Sequence, residues 1–226
     1  MIQRPERASS PSLPKPSLMP IEGRGPSRGS RGQRPLALLA LFLAIATVLS
    51  VVFLDRPVAL YFAGVVQWRW VFQGLAVPSL LALPGAGVVL LVAVWRRLRG
   101  LGPVGRVWLL MSVATLAGTA AKDELKWMFG RSWPWAWLQA DVYGFHPFTN
   151  SIYYGGFPSG HTAYISAPLC VLWVLAPRWR VVWGGVIFLV MLGLVGANYH
   201  FVGDVLAGLL TGVLCAWGTL VLMGRD

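Results

Sequence analysis

Six apolar segments, at 36–54, 75–95, 107–121, 162–176, 181–199 and 205–223, limit what this chain can fold into more than any other feature. A helix crosses a bilayer with about 20 apolar residues. Four of the segments come close to that length, and the third and fourth are shorter but run on into polar stretches. Open strand edges are not tolerated in lipid and no alternating strand pattern is present, so each segment is expected to be a helix. Composition agrees, because only 12% of the residues are charged and 56% are hydrophobic, whereas soluble domains carry about 25% charged residues. The 12 tryptophans suit the boundary between lipid and water. The expected fold is therefore all-α: an integral membrane bundle of six transmembrane helices over residues 35–226. Residues 1–34, rich in Pro, Ser, Gly and Arg, are expected to form a disordered basic tail. The first apolar run is too long for a signal peptide and no small-residue cleavage site follows it, so it is expected to span.

The net charge of +11 raises the possibility of nucleic acid, but its distribution argues against that partner. Most basic residues lie in the tail or flank apolar runs, and no aromatic–basic interleaving of the single-strand-binding kind is present. Placing the tail in the cytoplasm puts Arg96, Arg97, Arg99, Arg106, Arg178, Arg180 and Arg225 on the same side. The positive-inside rule then sets both termini in the cytoplasm, as expected for a bacterial inner-membrane protein. Arg56, Arg69, Lys122, Lys126 and Arg131 fall outside, together with every unusual polar group of the chain. Cys170 and Cys215 stand singly in apolar runs, without metal-ligand spacing, and read as small hydrophobes.

Three outer stretches carry candidate chemistry. In Lys122–Pro134, Lys122 and Lys126 share a helix face, Gly130 can end the helix and Arg131 follows at once. Taken alone, these also fit solvated charges at a span end. In Phe157–His161, Pro158 and Gly160 make a turn, Ser159 is a natural N-cap and His161 sits in the first helical turn. Such an end favours an anion such as phosphate, or is simply a capped helix with an exposed histidine. In Asn198–Asp204, His200 and Asp204 are four apart, so a helix lets the carboxylate reach one imidazole nitrogen and leaves the other as nucleophile or ligand. An acid inside a span costs about 2.5–3.5 kcal/mol on insertion scales, which marks Asp204 as a functional candidate, the alternative being a polar pair joining two helices. No metal is expected: the two histidines and the acid lack a standard spacing, and cations beside them suit an anionic substrate.

Together the three stretches resemble the type 2 phosphatidic acid phosphatase family, related to the vanadium haloperoxidases. Its motifs are Lys-x6-Arg-Pro, Pro-Ser-Gly-His and Ser-Arg-x5-His-x3-Asp, in that order. Pro158-Ser159-Gly160-His161 matches the second in full, His200 and Asp204 match the end of the third, and Lys126 and Pro134 match the ends of the first. The resemblance covers roughly 107–220. Two arginines of the pattern are absent: Trp133 stands at one position and Gly193-Leu194 at the Ser-Arg pair. Arg131, two residues early, is expected to replace one, with Lys122 or Asn198 as substitutes for the other.

The resemblance implies a helical core of the phosphatase/haloperoxidase kind and a cofactor-free membrane phosphatase acting on a lipid phosphate or pyrophosphate at the outer face. In that reading His200 is the nucleophile, Asp204 orients it, and His161 is the acid. Lys126, Arg131 and the Ser159–Gly160 backbone hold the phosphate oxygens. His161 has Ile165 where His200 has Asp204, an asymmetry that agrees with these roles. A phosphotransferase using the same phosphohistidine, or a catalytically weak chain that binds anionic lipids, remains the alternative. The aromatic loop 135–157 either selects a headgroup or anchors at the interface, and its His146 belongs to no motif.

Overall fold

The computed structural model describes residues 29–149 and 151–223, with side chains described from residue 35. The chain runs through α1 (Gly29–Leu49), α2 (Asp55–Gly64), α3 (Arg69–Ala76), α4 (Ala82–Leu98), α5 (Arg106–Phe129), α6 (Pro134–Ala140), α7 (Gly160–Leu175), α8 (Arg180–Gly196) and α9 (Val202–Met223). Among the described residues there is no β-strand, as expected for an all-α chain. The tail expected over 1–34 lies outside the described residues as far as position 28; positions 29–34 already belong to α1.

Each apolar segment forms helix, yet the boundaries differ from expectation. Among the described residues, four helical stretches are long and apolar enough to cross a membrane: Pro35–Gly64, Val66–Leu98, Pro177–Gly196 and Val202–Met223. α7 is apolar but has only 16 residues, and α5 has the length but carries Arg106 at one end and Lys122 to Lys126 at the other. Among the described residues, length and composition thus mark four of the six expected spans. The first stretch does not stop at Leu54. A π-helical turn, Ser50–Leu54, leads straight into α2, so Asp55 and Arg56 continue the helix. The second stretch is interrupted by 3-10 turns at Val66–Trp68 and Val77–Leu81, the latter at Pro78, which cannot supply an amide hydrogen.

α7 lies at the centre, packed against α5 and α9, with α8 alongside. It is buried almost all round, which explains why it needs neither the length nor the one-sided polarity of a surface helix. Ala76, Ile165, Leu169, Val190, Leu194 and Val205 make one core where α3, α7, α8 and α9 meet. Leu110, Ala114, Ala167, Val171 and Ala216 make a second among α5, α7 and α9. Cys170 is half-buried and free, packed between these two cores, in line with its reading as a small hydrophobe. On α1 and the π-helical turn that follows it, the outer face stays apolar and exposed, with Leu38, Phe42, Ile45, Val52 and Phe53 uncovered.

Close approach of α7 and α9 depends on missing side chains. A Cβ on Gly208 would lie 2.5 Å from the Ser159 carbonyl oxygen. One on Gly212 would meet the Ala163 oxygen at 2.8 Å and Ser166 Oγ closer still. Small residues let helix backbones approach in this way inside a bilayer. Gly212→Ala is expected to lower stability by about 1–3 kcal/mol through overpacking. Gly218→Ala, on the same helix with nothing near its Cβ, is expected to leave stability unchanged or slightly raised. Thermal unfolding of both variants in detergent checks the contrast.

Candidate active site

The motif-bearing stretches meet at one end of the bundle, where α5 ends, α7 begins and α8 passes into α9. α5 closes on Gly130, whose φ of +53° is the left-handed conformation that ends helices. The His146 carbonyl occupies the space where a side chain at 130 would stand, and the His146 amide donates to the Gly130 oxygen at 2.8 Å. The next residues are stitched to the loop before α7. Gly155 and Gly156 amides both donate to the Arg131 carbonyl, and the Trp133 amide donates to Tyr153. The His146 ring lies 4.3 Å from that of Tyr154, so this histidine packs within the loop, away from the motif histidines.

His200 is buried between the ends of α8 and α9, in contact with the ring of Trp133 at 5.1 Å. Its Nδ1 faces Asp204 Oδ2 at 3.5 Å, the i,i+4 pairing read from the sequence. That separation is at the outer limit of a hydrogen bond, and no closer partner of Nδ1 is present among the described residues. Asp204 Oδ2 accepts a shorter bond, 3.0 Å, from the Phe201 amide. The opposite ring nitrogen, Nε2, is the one turned away from the carboxylate. The ring of His161 stands 6.3 Å from that of His200. Burial pushes the pKa of His200 below its usual value of 6.5, with Asp204 and the Gly156 backbone opposing the shift and Lys126 adding to it.

Ser159 caps α7, its Oγ accepting from the Thr162 amide at 3.4 Å and from the Thr162 hydroxyl at 3.2 Å. Its own amide is engaged, donating to the Asp204 carbonyl at 2.9 Å. Ser159 thus ties the second motif to the third. The expectation that its backbone holds phosphate is corrected: the amides left at the open end of α7 are those of Gly160 and His161. The stem of Lys122 lies across this end, 2.8 Å from where a Gly160 Cβ would be, and its ammonium pairs with Asp123. Lys126 Nζ donates to the Gly155 carbonyl and lies 4.7 Å from the centre of the Trp133 ring.

Arg131 departs furthest from expectation. Its side chain is fully buried and both terminal nitrogens are engaged with carboxylates: Nη1 donates to Asp204 Oδ1 at 2.7 Å and Nη2 to Asp55 Oδ2 at 2.6 Å. Rings of Phe201 and Phe145 pack on it at 4.6 and 5.1 Å. The guanidinium expected to grip phosphate instead forms an ion cluster beneath His200. Its partner Asp55 escaped the sequence reading, which ended the first span one residue earlier. The only signal was an acid directly after a 19-residue apolar run, a position where charges ordinarily sit in water.

The two absent arginines have structural replacements of a different kind. Leu194 is buried in the core, and beside it Gly193 leaves no room: a Cβ there would lie 2.6 Å from the Phe72 carbonyl and 2.8 Å from the Ala76 amide. α3 therefore packs directly against the two positions where the family pattern has Ser-Arg. Asn198, the expected substitute, donates to the Ala59 carbonyl of α2 at 3.0 Å and braces helices. Among the described residues, Lys126 and Lys122 are the lysines beside His161.

Comparison with known proteins bears on the family alone. Neither the curated proteins nor the solved structures show a significant match to the chain. The sequence profile of the PAP2 superfamily matches residues 106–226, from the start of α5 to the end of the chain, and takes in all three motif stretches. With more than half of its length matched, including both histidines and Asp204, the chain belongs to the PAP2 superfamily.

Proposed function

We propose that the chain is an integral membrane phosphatase that hydrolyses a lipid phosphate or pyrophosphate through a phosphohistidine. One observation carries the reading: His200 is held with Nδ1 against Asp204 and faces His161 across 6.3 Å, with Lys126 beside them. In the first step His200 Nε2 attacks phosphorus, the bond to the lipid oxygen breaks, and that oxygen takes a proton from His161. In the second, His161 removes a proton from water as the water oxygen attacks phosphorus, which frees phosphate and restores His200. General acid catalysis of this kind contributes about 10²–10⁴-fold. Burial and the neighbouring His200, Lys126 and Lys122 disfavour a protonated His161, which precedes the apolar segment of α7. A phosphate dianion reverses that balance, so His161 takes up its proton together with the substrate.

The phosphate oxygens are assigned to Lys126, Lys122 and the Gly160 and His161 amides. Lysine acts as a point charge where arginine would bind two oxygens at once. A lipid substrate follows from the location, since the histidines lie at one end of helices that are long and apolar enough to span. Arg96, Arg97, Arg106, Arg178 and Arg180 cluster at the opposite end of those helices, which supports a site on the extracytoplasmic face.

Purified protein in EDTA, given a panel of phosphatidic acid, phosphatidylglycerol phosphate and isoprenyl pyrophosphate, is expected to release free phosphate from at least one. His200→Ala is expected to lose that release and the acid-labile phosphoenzyme; activity near wild type overturns the nucleophile assignment. Phosphate passed to a second acceptor without release indicates a transferase, and binding without turnover indicates a lipid binder. His161→Ala is expected to lower kcat by about 10²–10⁴-fold. The pH profile supplies a separate check. A nucleophile must be neutral, and burial lowers the pKa of His200. kcat/KM is therefore expected to stay level as pH falls through 6.5 and to decline only below it.

A further inference from the structure

Asp55 lies outside the matched family region, on a different helix, and reaches into the site. The π-helical turn Ser50–Leu54 precedes it directly, and such turns re-aim the residues that follow, often at functional positions. The carboxylate is buried, with Oδ2 accepting from Arg131 Nη2 at 2.6 Å and Oδ1 accepting from the Gly203 amide at 2.8 Å. Gly203 is fitted to this approach: a Cβ there would lie 2.7 Å from Val51 Cγ2 and 3.0 Å from Asp55 Oδ2. The sequence places the next acid of the cluster, Asp204, one residue beyond that glycine.

Charge counting shows what Asp55 does for the site. Were Arg131 paired with Asp204 alone, its cation would cancel the charge that His200 depends on when it becomes a phosphoimidazolium. With two carboxylates sharing one guanidinium, the cluster carries a net charge of −1 beside His200. A contact meant only to join helices is made at lower cost by apolar groups, because each buried ion costs several kcal/mol of desolvation. We propose that Asp55 is a positioning residue of the active site, sharing the charge of Arg131 so that Asp204 remains effectively anionic toward His200. The inference rests on the phosphohistidine reading for its consequence in catalysis, but not for its electrostatic content.

The groups facing His200 are Asp204 from α9, Lys126 from α5 and His161 from α7, with the uncharged Trp133 ring on the loop side. Those facing Asp55 are Arg131 and Asp204, while the adjacent Arg56 turns away to stack on Tyr143 at 4.1 Å. Removing the Asp55 charge therefore leaves Arg131 to neutralise Asp204. His200 then loses support for its cationic form and becomes harder to protonate.

The chain has three histidines, so the ring of His200 is readily assigned by histidine-selective NMR in micelles, with His200→Gln as reference. In Asp55→Asn its titration midpoint is expected to move down by about one pH unit, a tenfold change in proton affinity. The double variant Asp55→Asn/Arg131→Gln restores a net charge of −1, and its midpoint is expected to return to the wild-type position. It also removes the cation that Asp55→Asn leaves short of a partner, so it remains measurable if the single variant folds poorly. In turnover, Asp55→Asn is expected to lower kcat about tenfold and leave KM within about twofold. A midpoint that stays in place in Asp55→Asn, or one equally displaced in both variants, overturns the proposal. Absence of turnover by the wild-type protein counts against the phosphatase reading alone, since the NMR titration does not require it.

Discussion

A guanidinium buried between two carboxylates sets the terms for the rest of this site. Asp55, Arg131 and Asp204 come from three parts of the chain and meet at 2.6 and 2.7 Å with almost no exposure. Losing one partner of such a cluster leaves an uncompensated buried charge, typically at a cost of about 3–5 kcal/mol. Local irregularities around it follow from that demand. The π turn aims Asp55 inward, Gly203 gives it room, and Gly155 and Gly156 wrap their amides around the Arg131 carbonyl. The loop before α7 is thereby fixed to the same residue that anchors Asp204. Loop order and the placement of His200 have a common origin.

The cluster also explains how the chain can lack two arginines of its family pattern without losing the core of the site. One position is closed by α3, which packs on Gly193 and buries Leu194. The other is Trp133, whose ring lies between Lys126 and His200. In the proposed reaction, recognition of the phosphate then rests on lysines and helix-end amides. These impose less geometry on the phosphoryl group than a planar fork would, while the cationic intermediate is supported from beneath by the charge cluster. Binding and charge stabilisation are divided between the two faces of His200.

The separation between what sequence revealed and what it hid is physical. That His161, His200 and Asp204 lie together was legible because their signals are local: a cap, an i,i+4 pair, an acid beside an apolar run. The helical nature of the apolar segments was legible for the same reason. Arg131 was assigned to phosphate because it neighbours the motif, but spacing along the chain says nothing of a partner 76 residues away. Asp55 was hidden by the assumption that an acid after an apolar run lies in water, and no pattern announces a π turn that carries the helix onward. Of the six expected spans, four described stretches have the length and hydropathy of a span. α7, with 16 residues, is enclosed by other helices, and burial within protein accounts for its lack of a polar face.

The distance between the two histidines is itself a product of helix packing. His161 rides on the first turn of α7, and His200 is joined to the first turn of α9 through Asp204. The Ser159 amide, bonded to the Asp204 carbonyl, links those turns directly. Gly208 and Gly212 then let the two backbones close along their length, where any side chain would meet Ser159, Ala163 or Ser166. Two catalytic groups on separate flexible loops would lose freedom each time a substrate bound. Here that entropy has been surrendered in folding, which is how fixed geometry lowers a barrier. The small residues of α9 therefore bear on the site as much as on packing: they set how far His161 lies from His200.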